Sequence, residues 1–330
     1  MTEPAPSQLR SRSRPRSRDT PIRARPRLGY TRSAPIGRGP IAARVLERVI
    51  VAASAAGAHL PPRTAHRLAV AGGTLEWAVR PGKRRTLAEN LCHAVELDPD
   101  DPRMRAVVRR EIVNEAHRSA DLLWSIARPG ELLEGVRIRG RAGVDEALAE
   151  GRGVILAGPH IGGWEVVVPV PAAVLDVRVA VLVNDDWLAW AVDGIRRGAG
   201  LETEYVSDGP RPLVRRLRRG EALLMFADIV PEPGVRTIAV RFLDGIAGLP
   251  AGPAALARMA DAVIVPLAVL PLDQRAWLIE LGEPIHPRRS ADGAAATDSA
   301  TLQRLADAWS DVIRRYPEWW AAVYPLAWDG

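Results

Sequence analysis

The chain of 330 residues contains one cysteine, Cys92, and one lysine, Lys83. A lone thiol excludes an intramolecular disulfide and any metal site built from several cysteines. No run of about 18 or more apolar residues occurs, so a membrane-spanning helix is not expected. The longest candidate, residues 49–59, is short and rich in Ala and Gly. The amino terminus is polar and Arg-rich and lacks the apolar segment of a secretory signal. Near-exclusive use of Arg over Lys, with abundant Ala, reads as the mark of a GC-rich genome.

Hydrophobic residues make up 47% of the chain, enough for a substantial core, and charged residues 25%, an ordinary globular share. The net charge of +6 is unevenly placed. Residues 1–40 hold Arg10, Arg12, Arg14, Arg16, Arg18, Arg23, Arg25, Arg27, Arg32 and Arg38 against Glu3 and Asp19. This Arg/Ser/Pro-rich tail is expected to be disordered. It reads either as a solvated tail or as an electrostatic attachment to an anionic membrane surface. Nucleic acid is the least expected partner.

Three segments follow: the tail at 1–40, a helical region at 41–130 and an α/β core at 131–330. In the second, ARVLERVIVAASAAG and PRTAHRLAVAGGTLEWAV place apolar residues three and four apart. Such helices either pack on the core or lie on a bilayer with Arg44, Arg48, Arg63 and Arg67 toward headgroups. Helices are expected from about Lys83 to Ala94 and from Pro102 to Ala127. Beyond them, short β-like runs alternate with helical ones: VRIRG, GVILAG, VRVAVLV, LETEYV, ALLMFAD, VIVPLAVLP and AWLIELGEPI. A helix is expected from Trp164 to Leu175 and a last one from about Ser299 to Tyr316. RTIAVRFL alternates and suits a hairpin or an edge. The pattern predicts an α/β fold, a mainly parallel central sheet flanked by helices, with the helical region at its amino-terminal side.

The segment GVILAGPHIGGWE (153–165) carries the strongest chemical signal. His160 follows directly on a strand apolar on both faces, and ligands bind beyond the carboxyl ends of such strands. Gly162-Gly163 permits a tight turn and a close backbone approach. On one continuous helix, His160 and Glu165 would project roughly 140° apart. They meet only if His160 sits on the preceding turn, where Glu165 can accept a hydrogen bond from one imidazole nitrogen and raise the basicity of the other. Such a pair can take a proton from an alcohol attacking a thioester. The bare spacing also suits a structural His beside a surface Glu. No metal is called for, because no partner ligands cluster nearby.

GVILAGPHIGGWE resembles the core motif of the lipid A late acyltransferase superfamily, which includes the phosphatidylinositol mannoside acyltransferases. The resemblance extends over much of residues 83–325. RRTLAENLCHAV is similar to the family's Arg…Asn-Leu segment, and RRGAGLE to its Arg-x-x-x-Gly segment, which makes Arg196 the matching arginine. ALLMFADIVPEPG resembles the strand that ends in Asp, here Asp228. GLPAGPAALARMADAVIVPLAV and YPEWWAAV are similar to the helix-and-strand motif and the Pro-x-x-Trp ending. The pattern departs at Asp244, where Gly is usual, and in the Arg tail that replaces a membrane helix.

The resemblance implies a glycerolipid acyltransferase-like fold and transfer of a fatty acyl group from acyl-CoA or acyl-ACP, a donor substrate rather than a cofactor, to a hydroxyl of a lipid or glycolipid. It makes His160 the general base and Glu165 its partner. Gly162, Gly163, Trp164, Arg196, Asp228 and Gly252 are the expected substrate-binding residues, with Arg196 as an anion clamp or oxyanion aid and Asp228 orienting the site. Gly252-Pro253 also reads as plain helix punctuation. Trp319, Trp320 and Trp328 either meet a membrane interface or pack the C-terminal segment on the core. The expected location is the cytoplasmic face of the cell membrane, held peripherally. Two rivals remain: a thioesterase or small-molecule acyltransferase on the same fold, and a binding protein whose Arg tail engages RNA or anionic lipid without catalysis.

Overall fold

A computed structural model describes residues 20–21, 41–229, 235–288 and 290–329. The tail expected at 1–40 therefore lies outside the described residues, apart from a two-residue strand, β1 (Thr20–Pro21). Helices α1 (Ile41–Gly57), α2 (Pro62–Val79), α3 (Pro81–Val95) and α4 (Met104–Ala127) come first. A short α5 (Pro129–Gly135) leads into β2 (Val136–Arg139), α6 (Ala142–Ala149) and β3 (Val154–Gly158). Then come α7 (Trp164–Val167), α8 (Val170–Val174), β4 (Val179–Val183), α9 (Trp187–Gly198) and β5 (Glu202–Tyr205). After α10 (Pro210–Arg218) and β6 (Ala222–Phe226), a hairpin of β7 (Thr237–Phe242) and β8 (Gly245–Pro250) leads to α11 (Gly252–Ala260). The chain continues through β9 (Val263–Asp273), β10 (Ala276–Leu281) and α12 (Ala294–Arg315) to β11 (Trp328–Asp329).

The central sheet runs β1-β2-β10-β9-β3-β6-β4-β5. β10 runs antiparallel to β9, and β1 to β2; every other neighbouring pair is parallel. The α/β class and the mainly parallel sheet match the sequence pattern. RTIAVRFL forms β7 of a separate three-stranded sheet with β8 and β11. The core has two layers, one on each face of the sheet. Ile155 and Ala157 of β3, with Leu223 and Met225 of β6, enter one layer. Val154 and Leu156, with Ala222 and Leu224, enter the other. Burial on both faces explains why these strands read as continuous apolar runs.

The helix expected from Trp164 to Leu175 is broken into α7 and α8. Pro169 and Pro171 are the cause, since proline removes a backbone donor and crowds the preceding turn. The Gly162-Gly163 turn that precedes α7 is a packing requirement as well as a bend. Gly162 has φ +60°, and a Cβ there would lie 1.6 Å from the Val269 carbonyl oxygen. A Cβ on Gly163 would meet the Trp277 indole at 2.5 Å.

These contacts set a stability test. Gly151 also has positive φ but nothing within 4 Å of a built Cβ. Gly151→Ala is expected to cost about 1 kcal/mol from backbone strain alone. Gly162→Ala adds a backbone clash and is expected to cost about 3 kcal/mol or more in urea unfolding. Equal costs for the two variants would contradict the close approach to β9.

Candidate active site

The site forms where two neighbouring parallel strands end. Gly158 of β3 and Phe226 of β6 are paired in register. Two residues beyond each lie His160 and Asp228, so the pair leaves the sheet side by side. Asp228 Oδ1 lies 2.5 Å from His160 Nδ1, and its Oδ2 accepts the His160 backbone N–H at 3.1 Å. An ionised carboxylate only accepts, so Nδ1 carries a proton, and in the neutral ring the lone pair is on Nε2. Among the described residues Nε2 has no hydrogen-bond partner. Trp164 meets the imidazole edge-on, with ring centroids 4.6 Å apart, and Phe226 leans on it at 5.5 Å.

Asp228 is fully buried. Burial opposes its charge, but the adjacent imidazole and the N–H groups of His160 and Trp320 outweigh that and hold its carboxyl below the usual carboxylate range. The Trp320 indole N–H donates to Oδ2 at 2.8 Å.

The partner expected for the imidazole was Glu165, and here the structure differs: Asp228 occupies Nδ1. The reason is geometric. Asp228 is carried by a strand in register with β3, whereas Glu165 lies beyond the glycine turn on α7. Glu165 remains in the field of the site. Burial pushes its carboxyl up, while Arg118, His160 and Arg196 pull it down. Burial likewise depresses Arg196, opposed by the nearby Glu165 and Asp193. Arg196 Nη1 donates to the Ala189 carbonyl on its own helix at 3.3 Å.

The remaining expected residues divide. Gly162, Gly163 and Trp164 shape the loop around His160. Gly252 starts α11 beside Met225. Met225 belongs to the core layer opposite the one that Phe226 and Trp164 pack against, so Gly252 lies on the other face of the sheet from these two rings. Of the tryptophans, Trp319 and Trp320 pack at the site: Trp319 stands edge-on to Trp277 and Trp320 edge-on to Phe242. Trp328 stacks on His93 instead.

Two residues were not foreseen in these roles. Arg118 of α4 is buried, bonds the Trp319 carbonyl at 3.3 Å and Glu111 Oε1 at 3.1 Å, and places positive charge near Glu165. Trp320 bonds Asp228. The YPEWWAAV motif drew attention to the segment holding Trp320, but nothing in the spacing pairs it with Asp228. Arg118 lies in a helical stretch of mixed polarity without any motif.

The charge of Asp228 leads to a pH test. Its folded-state pKa lies below the unfolded one, so its stabilisation is complete above the ordinary carboxylate pKa and is lost as pH falls through the folded value. The urea midpoints of the native chain and Asp228→Asn are expected to differ at neutral pH and to converge below about pH 4. A gap that widens toward acid would contradict a buried, ionised Asp228.

Comparison with known proteins places the chain in a family. The family model described as bacterial lipid A biosynthesis acyltransferase matches residues 42–326. A phosphatidylinositol mannoside acyltransferase of Mycolicibacterium smegmatis is 26% identical over 277 residues, covering 78% of this chain and 83% of that protein. One from Mycobacterium tuberculosis is 29% identical over 189 residues, covering 55% and 57%. The family match takes in the whole His160–Asp228 site, and the chain belongs to the bacterial lipid A biosynthesis acyltransferase family, as an acyltransferase that acts on a lipid.

Proposed function

We propose that the protein transfers a fatty acyl group from an acyl thioester, on coenzyme A or acyl carrier protein, to a hydroxyl of a glycolipid of the phosphatidylinositol mannoside class. The observation that carries this reading is the His160–Asp228 pair, with Nδ1 tied down and Nε2 free. Nε2 takes the proton of the acceptor hydroxyl as its oxygen attacks the thioester carbonyl. The tetrahedral intermediate collapses with cleavage of the C–S bond, and the thiolate takes the proton back from the imidazolium. Ester and free thiol leave, and the imidazole is regenerated. Asp228 stabilises the imidazolium and fixes its tautomer. Glu165 stands nearby, its carboxyl pushed up by burial and pulled down by Arg118, His160 and Arg196. The acceptor class follows from the names of the mycobacterial relatives.

The acceptor class fits a peripheral membrane enzyme. Among the described residues, no helix is long and apolar enough to cross a membrane. The outer helices nevertheless leave apolar side chains in solvent. On α2, Gly73 is buried, while Leu68, Leu75 and Val79 on the opposite side are each more than half exposed. On α1, Ile41, Val45 and Val49 form a second exposed stripe. Exposed Arg44, Arg48, Arg63 and Arg67 flank these stripes, a pattern that suits an anionic bilayer surface on the cytoplasmic side.

Purified enzyme given palmitoyl-CoA and phosphatidylinositol mannoside in vesicles is expected to yield acylated lipid and free coenzyme A. His160→Ala is expected to abolish the product, and Asp228→Asn to lower kcat by about 10³-fold or more through the wrong tautomer. Free fatty acid as the main product, with or without acceptor, would overturn transfer in favour of hydrolysis. Separately, replacing Leu68, Leu75 and Val79 by Ser is expected to weaken cosedimentation with phosphatidylglycerol vesicles on the order of 100-fold. Unchanged binding would remove α2 from the membrane surface.

A further inference from the structure

Beyond α12 the chain turns through Pro317–Trp319 and crosses the catalytic loop as a strap. Gly162 donates its N–H to the Trp319 carbonyl at 2.9 Å, and Ala321 donates to the His160 carbonyl at 2.8 Å. Ile161 and Trp320 form an antiparallel bridge between these bonds. The strap is held from outside as well. Asn114 Nδ2 bonds the Glu318 carbonyl at 2.8 Å, Arg118 bonds that of Trp319, and Asn90 Nδ2 bonds those of Ala322 and Tyr324, each at 2.8 Å. Trp320 itself is fully buried. Its indole N–H ends on Asp228 Oδ2, the oxygen that does not face Nδ1.

We propose that Trp320 is a positioning residue for acyl transfer: with its N–H on Oδ2, it fixes the rotation of the Asp228 carboxylate and so the direction of the His160 imidazole. Without the indole, Oδ2 keeps only the longer bond from the His160 backbone N–H, and the carboxylate is freer to turn about its Cβ–Cγ axis and to share its charge differently between its oxygens. The indole N–H and the His160 backbone N–H both converge on Oδ2, leaving Oδ1 for the imidazole. The N–H also draws negative charge away from the imidazole side. Its removal leaves a more basic carboxylate, which holds the proton on the imidazole more tightly. Glu165 on α7 lies in the field of His160, with Arg118 and Glu115 on α4 and Arg196 on α9 acting on it in turn, and none of them changes in the test below.

The inference rests on the reading of His160 as the general base, and its test separates the two. In the full chain, ring-labelled histidine is followed by NMR against pH, with the His160 signal identified by its absence from His160→Gln. Two changes are made at position 320. Trp320→Phe removes the N–H and some volume. Benzothienylalanine replaces the N–H by sulfur at nearly constant shape. Both are expected to move the His160 midpoint upward by about half a pH unit or more. With palmitoyl-CoA and phosphatidylinositol mannoside, kcat is expected to fall roughly 10-fold with KM unchanged, its acid limb moving with the midpoint. A midpoint that stays put in both variants overturns the proposal. So does a shift in Trp320→Phe that the sulfur isostere lacks, because packing would then be the cause. If Trp320→Phe does not fold, the isostere alone decides. If native enzyme turns over neither substrate, the proposed activity fails while the NMR result still judges Trp320.

Discussion

One buried carboxylate organises the candidate active site of this protein. Asp228 accepts from the His160 backbone, the His160 ring and the Trp320 indole, and it does so with no exposure to solvent. An ionised group in that position is tolerated only when its oxygens are saturated with donors. The donors come from two distant parts of the chain: the end of β3, and a strap some ninety residues beyond β6. The fold must therefore bring both to within hydrogen-bond reach of one side chain, and much of its detail serves that end. The β3–β6 register puts His160 beside Asp228. Gly162 and Gly163 let the loop turn flat against β9 and Trp277, which leaves room for the strap above it.

How much of this was legible beforehand depends on the range of the interaction. The seven longer strands of the central sheet and the separate alternating strand were readable because their patterns are local: apolar runs for strands covered on both faces, such as β3 and β6, and alternation for β2 and β7. The importance of His160 was readable from its place after a buried strand. Its partner was not. Glu165 is close in sequence and invites pairing, yet it lies past a glycine turn on α7, whereas Asp228 is 68 residues away and adjacent in space through strand register. Periodicity carries no information about which strands are neighbours. The motif resemblance did mark Asp228, but as an orienting residue and without a bonding partner. The break at Pro169 was legible in principle, since proline disfavours the helical interior; a continuous apolar texture from Trp164 to Leu175 masked it.

The buried charges on α4 extend the same logic outward. Glu111 has no exposure, and burial pushes its carboxyl up although Arg118 lies on one of its oxygens. Replacing such a pair by apolar residues is often neutral or stabilising, so stability alone does not account for it. Arg118 offers another account. It satisfies a backbone carbonyl of the strap and lends positive charge toward Glu165, and an apolar side chain can do neither. Glu111 then compensates a cation that the strap requires.

This gives α4 a connecting role that its mixed composition conceals. One side of the helix receives α1 and α2, whose outer faces carry the exposed apolar stripes, while Asn114 and Arg118 hold the strap over the catalytic loop. A force on the outer helices is therefore one packed helix away from the Trp320–Asp228–His160 chain of hydrogen bonds. His66 of α2 stacks on His117 of α4 with ring centroids 4.4 Å apart, and it faces the buried Asp121 at 3.6 Å. The two helices also approach closely at Gly73 of α2, where a Cβ would lie 3.0 Å from the Val113 Cα of α4. The surface suited to a bilayer and the base suited to catalysis are joined by a rigid element rather than a linker. The reaction proposed above would bring a lipid hydroxyl to Nε2 from a bilayer surface, and a rigid join would keep the distance between the two constant.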